Sequence, residues 1–424
     1  MNPRGLRLIL VTPWNTQSAI AGVNLLIAKE LVQRGVAVTI VRSEMDAQAK
    51  LKALNTDMPI LRPKDLLKLQ PGYDYDHICY AIGNYWLFHG GAINILAQRP
   101  GLVLLHDAFL RDLGAGWEQE LGKASYQYLL QTLVNHPIQP DAIPETIGTN
   151  SMVNWPMAMA TGGVVHAKHY LDLAQTACPG PVVELPLPVS DINTAAPRKR
   201  QPGDPIDIVT IGHVNSNKLP EEIIQAIGSS HRLRTHCQYR LLGPIDDETR
   251  SRLESLADSL HVKIQMTGWL DEEHLLREIG MSDCVLCLRF PILEGASMSA
   301  IVALLSARPT IVCDAGFYSE IPDDVVIKLP ARPQAPAIVR ALETIIDKPD
   351  HMADVAARAR VYALETFTAS CYVDGLLNLI EEAIDVSFTV KEARTLCAET
   401  SAWGLDGTDP LFSRLSKISI DLFS

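Results

Sequence analysis

The sequence predicts an α/β protein of two facing Rossmann-like domains, and three observations carry that expectation. A strand–helix–strand order opens the chain. A similar order restarts near residue 206 after a Pro-rich interruption. The length of 424 residues, with 47% hydrophobic and 20% charged side chains, exceeds one ordinary core and leaves room for a cleft between two.

The first element is the apolar run at 6–11. Arg4 and Arg7 flank it, but it breaks at Pro13 and is far too short for a membrane span or a signal-peptide core, so it reads as a strand. A helix is expected near 20–34, closing at Arg34-Gly35, and a strand at 36–42. Further strands fit 77–82, 102–105 and 163–166, with helical stretches between them. The Pro- and polar-rich segment Pro186 to Pro205 is the linker, and its short basic cluster Arg198-Lys199-Arg200 reads as solvated linker. From Ile206 the pattern restarts: strand 206–211, helix 220–228, strand 238–242, helix 247–259, strand 262–265, helix 272–280, strand 284–288, helix 297–307 and strand 310–313. The end of the chain is helical near Cys371 to Ile384 and less regular after it. The expected division is an N-terminal domain at 1–190, a linker at 191–205, a C-terminal domain at 206–365, and a helix and tail at 366–424 that return to the first domain.

Composition narrows the function. A formal net charge of −12 argues against a nucleic-acid partner, which needs a basic face. Eight scattered cysteines, several inside apolar runs, suit reduced core thiols and a cytoplasmic location. Cys284 and Cys287 form a C-x-x-C, but on a strand positions three apart point to opposite faces, so no metal site is expected there. Asp74-Tyr75-Asp76 reads as a surface turn rather than a metal motif. The glycine fingerprint G-x-G-x-x-G is missing from both first turns: Gly22 stands alone, Gly212-His213-Val214-Asn215 opens the second domain, and Gly114 and Gly116 lack a third partner. A nicotinamide-dependent dehydrogenase is therefore disfavoured.

The most informative stretch runs from Asp283 to Pro322. A strand, Val285 to Leu288, ends in Arg289. A Pro-containing loop leads to Glu294-Gly295-Ala296-Ser297, a helix follows, and the strand Thr310 to Cys313 ends in Asp314. Glycine admits a ligand to the backbone, serine caps the helix, and the helix N-terminus faces an anion. A carboxylate at Glu294 suits hydroxyl groups better than phosphate, so the turn points to a diphosphate joined to a sugar. The plain alternative is a doubly wound turn of the common kind with one solvated carboxylate.

With these motifs in order, the sequence resembles the retaining glycosyltransferases of the two-Rossmann (GT-B) group, family 4-like or group 1, which serve bacterial polysaccharide and glycoconjugate synthesis. The resemblance runs from about residue 6 to about 380. Gly22-Val23 matches the Gly-Val pair opening the first long helix beside the donor diphosphate. LVLLHDAF places His106-Asp107 at a strand end that supplies a histidine near the transferred sugar. AIGNYWLFHG, with Asn84 and His89, resembles a segment preceding that strand, and TGGVVHAKHYLDLA resembles the close of the N-terminal domain. The family's Gly-Arg and lysine become Gly212-His213 and Lys218. Its pair of glutamates eight positions apart begins at Glu294, with Gly295, Ala296, Ser297 and Met298 facing phosphate; Ile301 is read as the second position, which normally chelates the ribose. Loss of such a charge-assisted bond costs about 1.5–3 kcal/mol, on the order of 10- to 100-fold in donor affinity.

The resemblance implies an interdomain donor cleft and metal-independent transfer from a nucleotide-diphosphate sugar, with no cofactor. His106, Lys218 and Glu294 take the catalytic roles. Arg289 or His213 assists at the leaving diphosphate, and Asn84 and His89 lie on the acceptor side, where Tyr85, Trp86, Trp117 and Trp155 offer stacking surfaces in and near the less regular region 108–160. The partners expected are the nucleotide sugar and a glycan or glycoconjugate acceptor, without nucleic acid or a transmembrane segment; a lipid-linked acceptor would add a peripheral membrane contact. Two alternatives stand beside this reading: a silent glycosyltransferase-like partner subunit, motivated by His213 and Ile301, and a nucleotide-sugar epimerase of the same fold.

Overall fold

The computed structural model describes residues 5–46, 48, 50–122, 151–192, 194, 205–388, 390–392, 395, 399 and 403. Arg198-Lys199-Arg200, much of the 191–205 linker, part of the 108–160 region and Phe412 lie outside the described residues. The chain divides into two units. The first comprises Met1–Pro188, Leu293–Ala296 and Ala369–Ser424, and the second Val189–Ile292 and Ser297–Thr368.

The first unit is built on a seven-stranded sheet in the order β3-β2-β1-β4-β5-β6-β7. Its strands are β1 (Arg7–Thr12), β2 (Ala37–Arg42), β3 (Ile60–Leu61), β4 (His77–Ile82), β5 (Leu102–Leu105), β6 (Gly162–Val165) and β7 (Val182–Glu184), and all neighbours are parallel. Continuous apolar runs form the central strands because helices cover both faces of a parallel sheet: every residue of β5 and β6 is buried. The helix Ala19–Gln33 begins at Ser18, whose hydroxyl accepts from the Ala21 N–H at 3.3 Å. It ends before Gly35, where φ of +87° requires the residue without a side chain. The helix Ala369–Asp385 belongs to this unit and buries Tyr372, Val373, Leu376, Leu379, Ile380 and Ala383. Arg34 holds its start through the Ser370 carbonyl at 3.0 Å and the Ser370 hydroxyl at 2.8 Å, and pairs with Asp374.

The second unit carries a parallel six-stranded sheet, β10-β9-β8-β11-β12-β13. The strands are β8 (Ile206–Ile211), β9 (Cys237–Leu242), β10 (Ile264–Met266), β11 (Cys284–Cys287), β12 (Thr310–Cys313) and β13 (Ile327–Leu329). Its core gathers Ile208, Leu241, Leu286 and Ile311 from the strands with Ile223 and Ile227 from the helix Pro220–Ser229 and Ile338 and Leu342 from Ala335–Asp347. Cys284 and Cys287 are both buried in β11.

The sequence expectation of two α/β units with parallel sheets is met. Differences are local. β10 starts at Ile264 rather than 262 because His261 adopts φ of +55° and the Val262 N–H bonds back to Ala257 at 2.9 Å, which closes the preceding helix first. The edge strands β3, β7 and β13 have two or three residues each, too few to show a period. Trp117 and Trp155, read as stacking surfaces for a sugar, stack on each other with centroids 4.7 Å apart and are buried. Asp74 and Asp76 tie the turn before β4: Asp74 accepts from the Gln70 N–H at 2.8 Å, and Asp76 pairs with Arg7 at 2.6 Å.

Candidate functional site

In the first unit, the candidate residues gather at the C-terminal ends of β4 and β5. His106 follows β5 directly and is buried, its N–H on the Ile82 carbonyl at 2.8 Å. Asp107 bridges Glu294 as an isolated antiparallel pair, and the Gly295 N–H reaches the His106 carbonyl at 3.2 Å. Gly295 has to be glycine here: a Cβ would lie 2.7 Å from the His106 carbonyl oxygen and collide with the Tyr170 hydroxyl. That hydroxyl is already committed, donating to the Leu105 carbonyl at 2.8 Å and accepting from the His166 N–H at 2.7 Å.

The electrostatics of this corner are set by burial. The Asp107 carboxyl is pushed up to about 6 by burial, with the Glu294 and Asp112 charges adding to it and the Asn84 N–H, 2.8 Å from its Oδ2, opposing. His89 is pushed down to about 4, again by burial, while its Nδ1 sits 3.0 Å from the Ala81 carbonyl. His106 falls well below the ordinary imidazole range through burial and then its histidine neighbours, His166 and His89.

Asn84 and His89 have structural engagements. The Asn84 Oδ1 accepts from the N–H groups of Asp112 and Leu113, at 2.9 and 3.3 Å, in the first turn of the helix Arg111–Leu121. His89 is fully inside the helix Trp86–Leu96 packing. Gly22 lies in the first helix with open space around its Cα, so a ligand can approach the backbone there. A cavity of about 640 Å³ that the sequence did not reveal is lined by Arg42, Glu44, Arg62, Lys64, Asn94 and Gln98, among others. Its residues come from the end of β2 and the loop after it, the segment around residue 62, and the helix Trp86–Leu96 with the turn that follows, and no local motif joins them.

In the second unit, β8 ends in a cationic corner. Gly212 adopts φ of +88°, and a Cβ there would come within 2.7 Å of the Lys218 ammonium. Lys218 is buried, donates to the Ile211 carbonyl, and shares that carbonyl with the Ser299 hydroxyl at 3.4 Å. Leu219, at φ of +55°, turns the chain from the Lys218 loop into the helix Pro220–Ser229. His213 is exposed on the adjoining loop. Arg289, after β11, is buried; its backbone N–H meets the Cys313 Sγ at 3.4 Å and its guanidinium the Leu288 carbonyl at 2.9 Å. Ser297 caps the helix Met298–Leu305, its hydroxyl accepting from the Ala300 N–H at 3.3 Å. Counting eight places from Glu294 reaches Val302, one beyond Ile301, which corrects the assignment made from the sequence. Ile301 is fully buried in the core and Val302 is half-buried, so neither position offers a ribose a hydrogen bond.

Residues 191–362 match the family described as glycosyl transferases group 1. Among solved structures, sucrose-phosphate synthase from Thermosynechococcus elongatus is 14% identical and superposes over 90% of this chain and all of its own, with a TM-score of 0.60. Alr3699/HepE from Anabaena, in complex with UDP and glucose, is 12% identical over 89% of this chain and 99% of its own, TM-score 0.59. WaaG, a glycosyltransferase involved in lipopolysaccharide biosynthesis, is 12% identical over 88% and 99%, TM-score 0.59. At these identities the likeness is one of fold, the two-sheet α/β architecture of the GT-B glycosyltransferases. No curated protein matches the sequence.

Proposed function

We propose, from the match of residues 191–362 to the glycosyl transferases group 1 family, that this protein transfers a sugar from a nucleotide-diphosphate sugar to a glycan or glycoconjugate acceptor. The observation that carries this reading is the end of β8, where the absence of a side chain at Gly212 leaves space for the Lys218 ammonium beside Ser299. A buried ammonium at the C-terminal end of a parallel strand suits a diphosphate, which it neutralises as a point charge as the sugar departs. The helix N-terminus capped by Ser297 supplies further backbone N–H groups for phosphate. Glu294 and His106 offer acceptors to the hydroxyls of the transferred sugar.

In this reading the bond from the anomeric carbon to the phosphate oxygen breaks and a bond to the acceptor oxygen forms on the same face. The acceptor proton passes to the departing phosphate. The configuration is retained, and the charge that a divalent ion carries elsewhere is met by lysine and helix. The cavity bounded by Arg42, Arg62, Lys64 and Asn94 has the size of a small-molecule site and charged groups on its wall, and in this reading it takes the acceptor.

The test is a thermal-shift and calorimetric screen against UDP-, GDP-, ADP- and dTDP-sugars, with Lys218→Ala and Glu294→Ala. One donor is expected to stabilise the protein, and Lys218→Ala to weaken it by about 10- to 100-fold. The product's anomeric configuration, read by proton NMR, checks retention, and full activity in chelator checks metal independence. A second reading, a partner subunit without turnover, draws on exposed His213 and the aliphatic pair Ile301 and Val302; it predicts no shift with any donor at millimolar concentration.

A further inference from the structure

The strand register Leu105↔Val165 brings the residues that follow, His106 and His166, side by side although sixty positions separate them. Nδ1 of His106 lies 3.2 Å from Nε2 of His166, with ring centroids 4.7 Å apart. Nδ1 of His166 lies 3.1 Å from the Leu185 carbonyl oxygen. A carbonyl can only accept, so the hydrogen of His166 sits on Nδ1. In a neutral ring that leaves Nε2 bare, and the bare nitrogen accepts from Nδ1–H of His106. His106, with its hydrogen committed to Nδ1, then carries a lone pair on Nε2. That atom is buried and has no hydrogen-bond partner among the described residues. Reversing the hydrogens would set a lone pair of His166 against those of the Leu185 carbonyl.

We propose that His166 is a positioning residue that locks His106 in the Nδ1–H tautomer, so that the His106 Nε2 is an acceptor reserved for a hydrogen-bond donor on the ligand. An O–H or N–H group satisfies it; a carboxylate, phosphate oxygen or ether, which can only accept, does not. That the donor is a sugar hydroxyl rests on the glycosyltransferase reading, whereas the lock itself does not. Burial supports the neutral state of both rings, pushing His166 down to about 4 and His106 well below its ordinary value. The surroundings offer little to stabilise a cation. Tyr372 packs its ring 5.8 Å from His166, Tyr170 holds the His166 backbone, and His89 adds a third neutral imidazole; Asp107, the next residue along, is itself raised toward its protonated form.

The lock is tested by magic-angle-spinning NMR of the full chain carrying ¹⁵N-histidine at pH 7.5, with the His106 signals identified by their loss in His106→Asn. The expected result is a protonated Nδ1 and a bare Nε2 on His106. His166→Phe removes the acceptor and is expected to let the hydrogen move to Nε2, with kcat/KM falling about tenfold or more. His166→Gln, whose amide can accept from His106 and donate to Leu185, is expected to restore both tautomer and turnover. A protonated Nε2 in the unaltered protein overturns the proposal without any variant having to fold, as does an unchanged His106 tautomer in His166→Phe. The predicted tautomer in a protein that binds and turns over no nucleotide sugar would leave the lock standing and remove the glycosyltransferase reading.

Discussion

Asp107 is a carboxyl held near 6 against an ordinary value of 3.8, and its charge therefore works against the fold above that range. Between those two values the folded chain keeps a proton that the unfolded chain has released, so stability from this group falls as pH rises from about 4 to about 6. Asp107→Asn preserves an acceptor for the Asn84 N–H and removes the charge. We expect it to exceed the unaltered protein by about 1–3 kcal/mol at pH 8, the gap closing toward pH 4, as read by urea unfolding at both values. Gly212→Ala should act in the opposite direction, costing about 1–2 kcal/mol through its positive φ and displacing the Lys218 ammonium, so that donor affinity falls further than the melting temperature implies. Gly212 and Lys218 were legible in the sequence through their resemblance to the glycine and lysine that follow the first strand of the second domain in the glycosyltransferase family. The His106–His166 pair was not, since only the pairing of β5 with β6 brings its members together. The raised pKa of Asp107 was equally hidden, because burial and the approach of Glu294 are tertiary facts.

At the level of elements, three buried histidines follow or pack against the ends of β4, β5 and β6, and all are held below their ordinary value. Each takes up a proton on unfolding once the pH drops below about 6.5, so stability should fall as the pH moves from 6.5 toward 4. The slope is at most about 1.4 kcal/mol per pH unit for each ring. Unfolding free energies at pH 5 and 7 measure it, and His166→Gln should reduce it by one ring's share. The helix Ala369–Asp385 gives a sharper test. Its six buried side chains, worth about 1.5–3 kcal/mol for each large one, rival the whole margin of a folded domain. Ending the chain at Thr368 should abolish the near-ultraviolet circular dichroism of the first unit and cause aggregation. Its apolar spacing made this helix legible, and so did the alternation of strand and helix across 206–313. The helices Trp86–Leu96 and Pro349–Thr366 were less so: the first is apolar on nearly every side, and the second carries alanines that serve core and surface alike.

For the whole molecule, the division into two α/β units followed from length and from the restart at Ile206, while the discontinuity of the first unit, completed by the last helix, is a matter of tertiary packing. If the second unit is a self-sufficient fold, residues 189–368 expressed alone should melt cooperatively and keep whatever nucleotide affinity Lys218 supplies, which calorimetry with Lys218→Ala as control would report. An excised fragment that stays unfolded would tie its stability to the remainder of the chain. The Val189 N–H bonds the Phe367 carbonyl at 3.0 Å, so the first and last segments of this unit lie side by side. A module whose two ends touch behaves as a cassette: it can be lifted out of one gene and spliced into another with short joints, leaving the segments that bracket it unchanged.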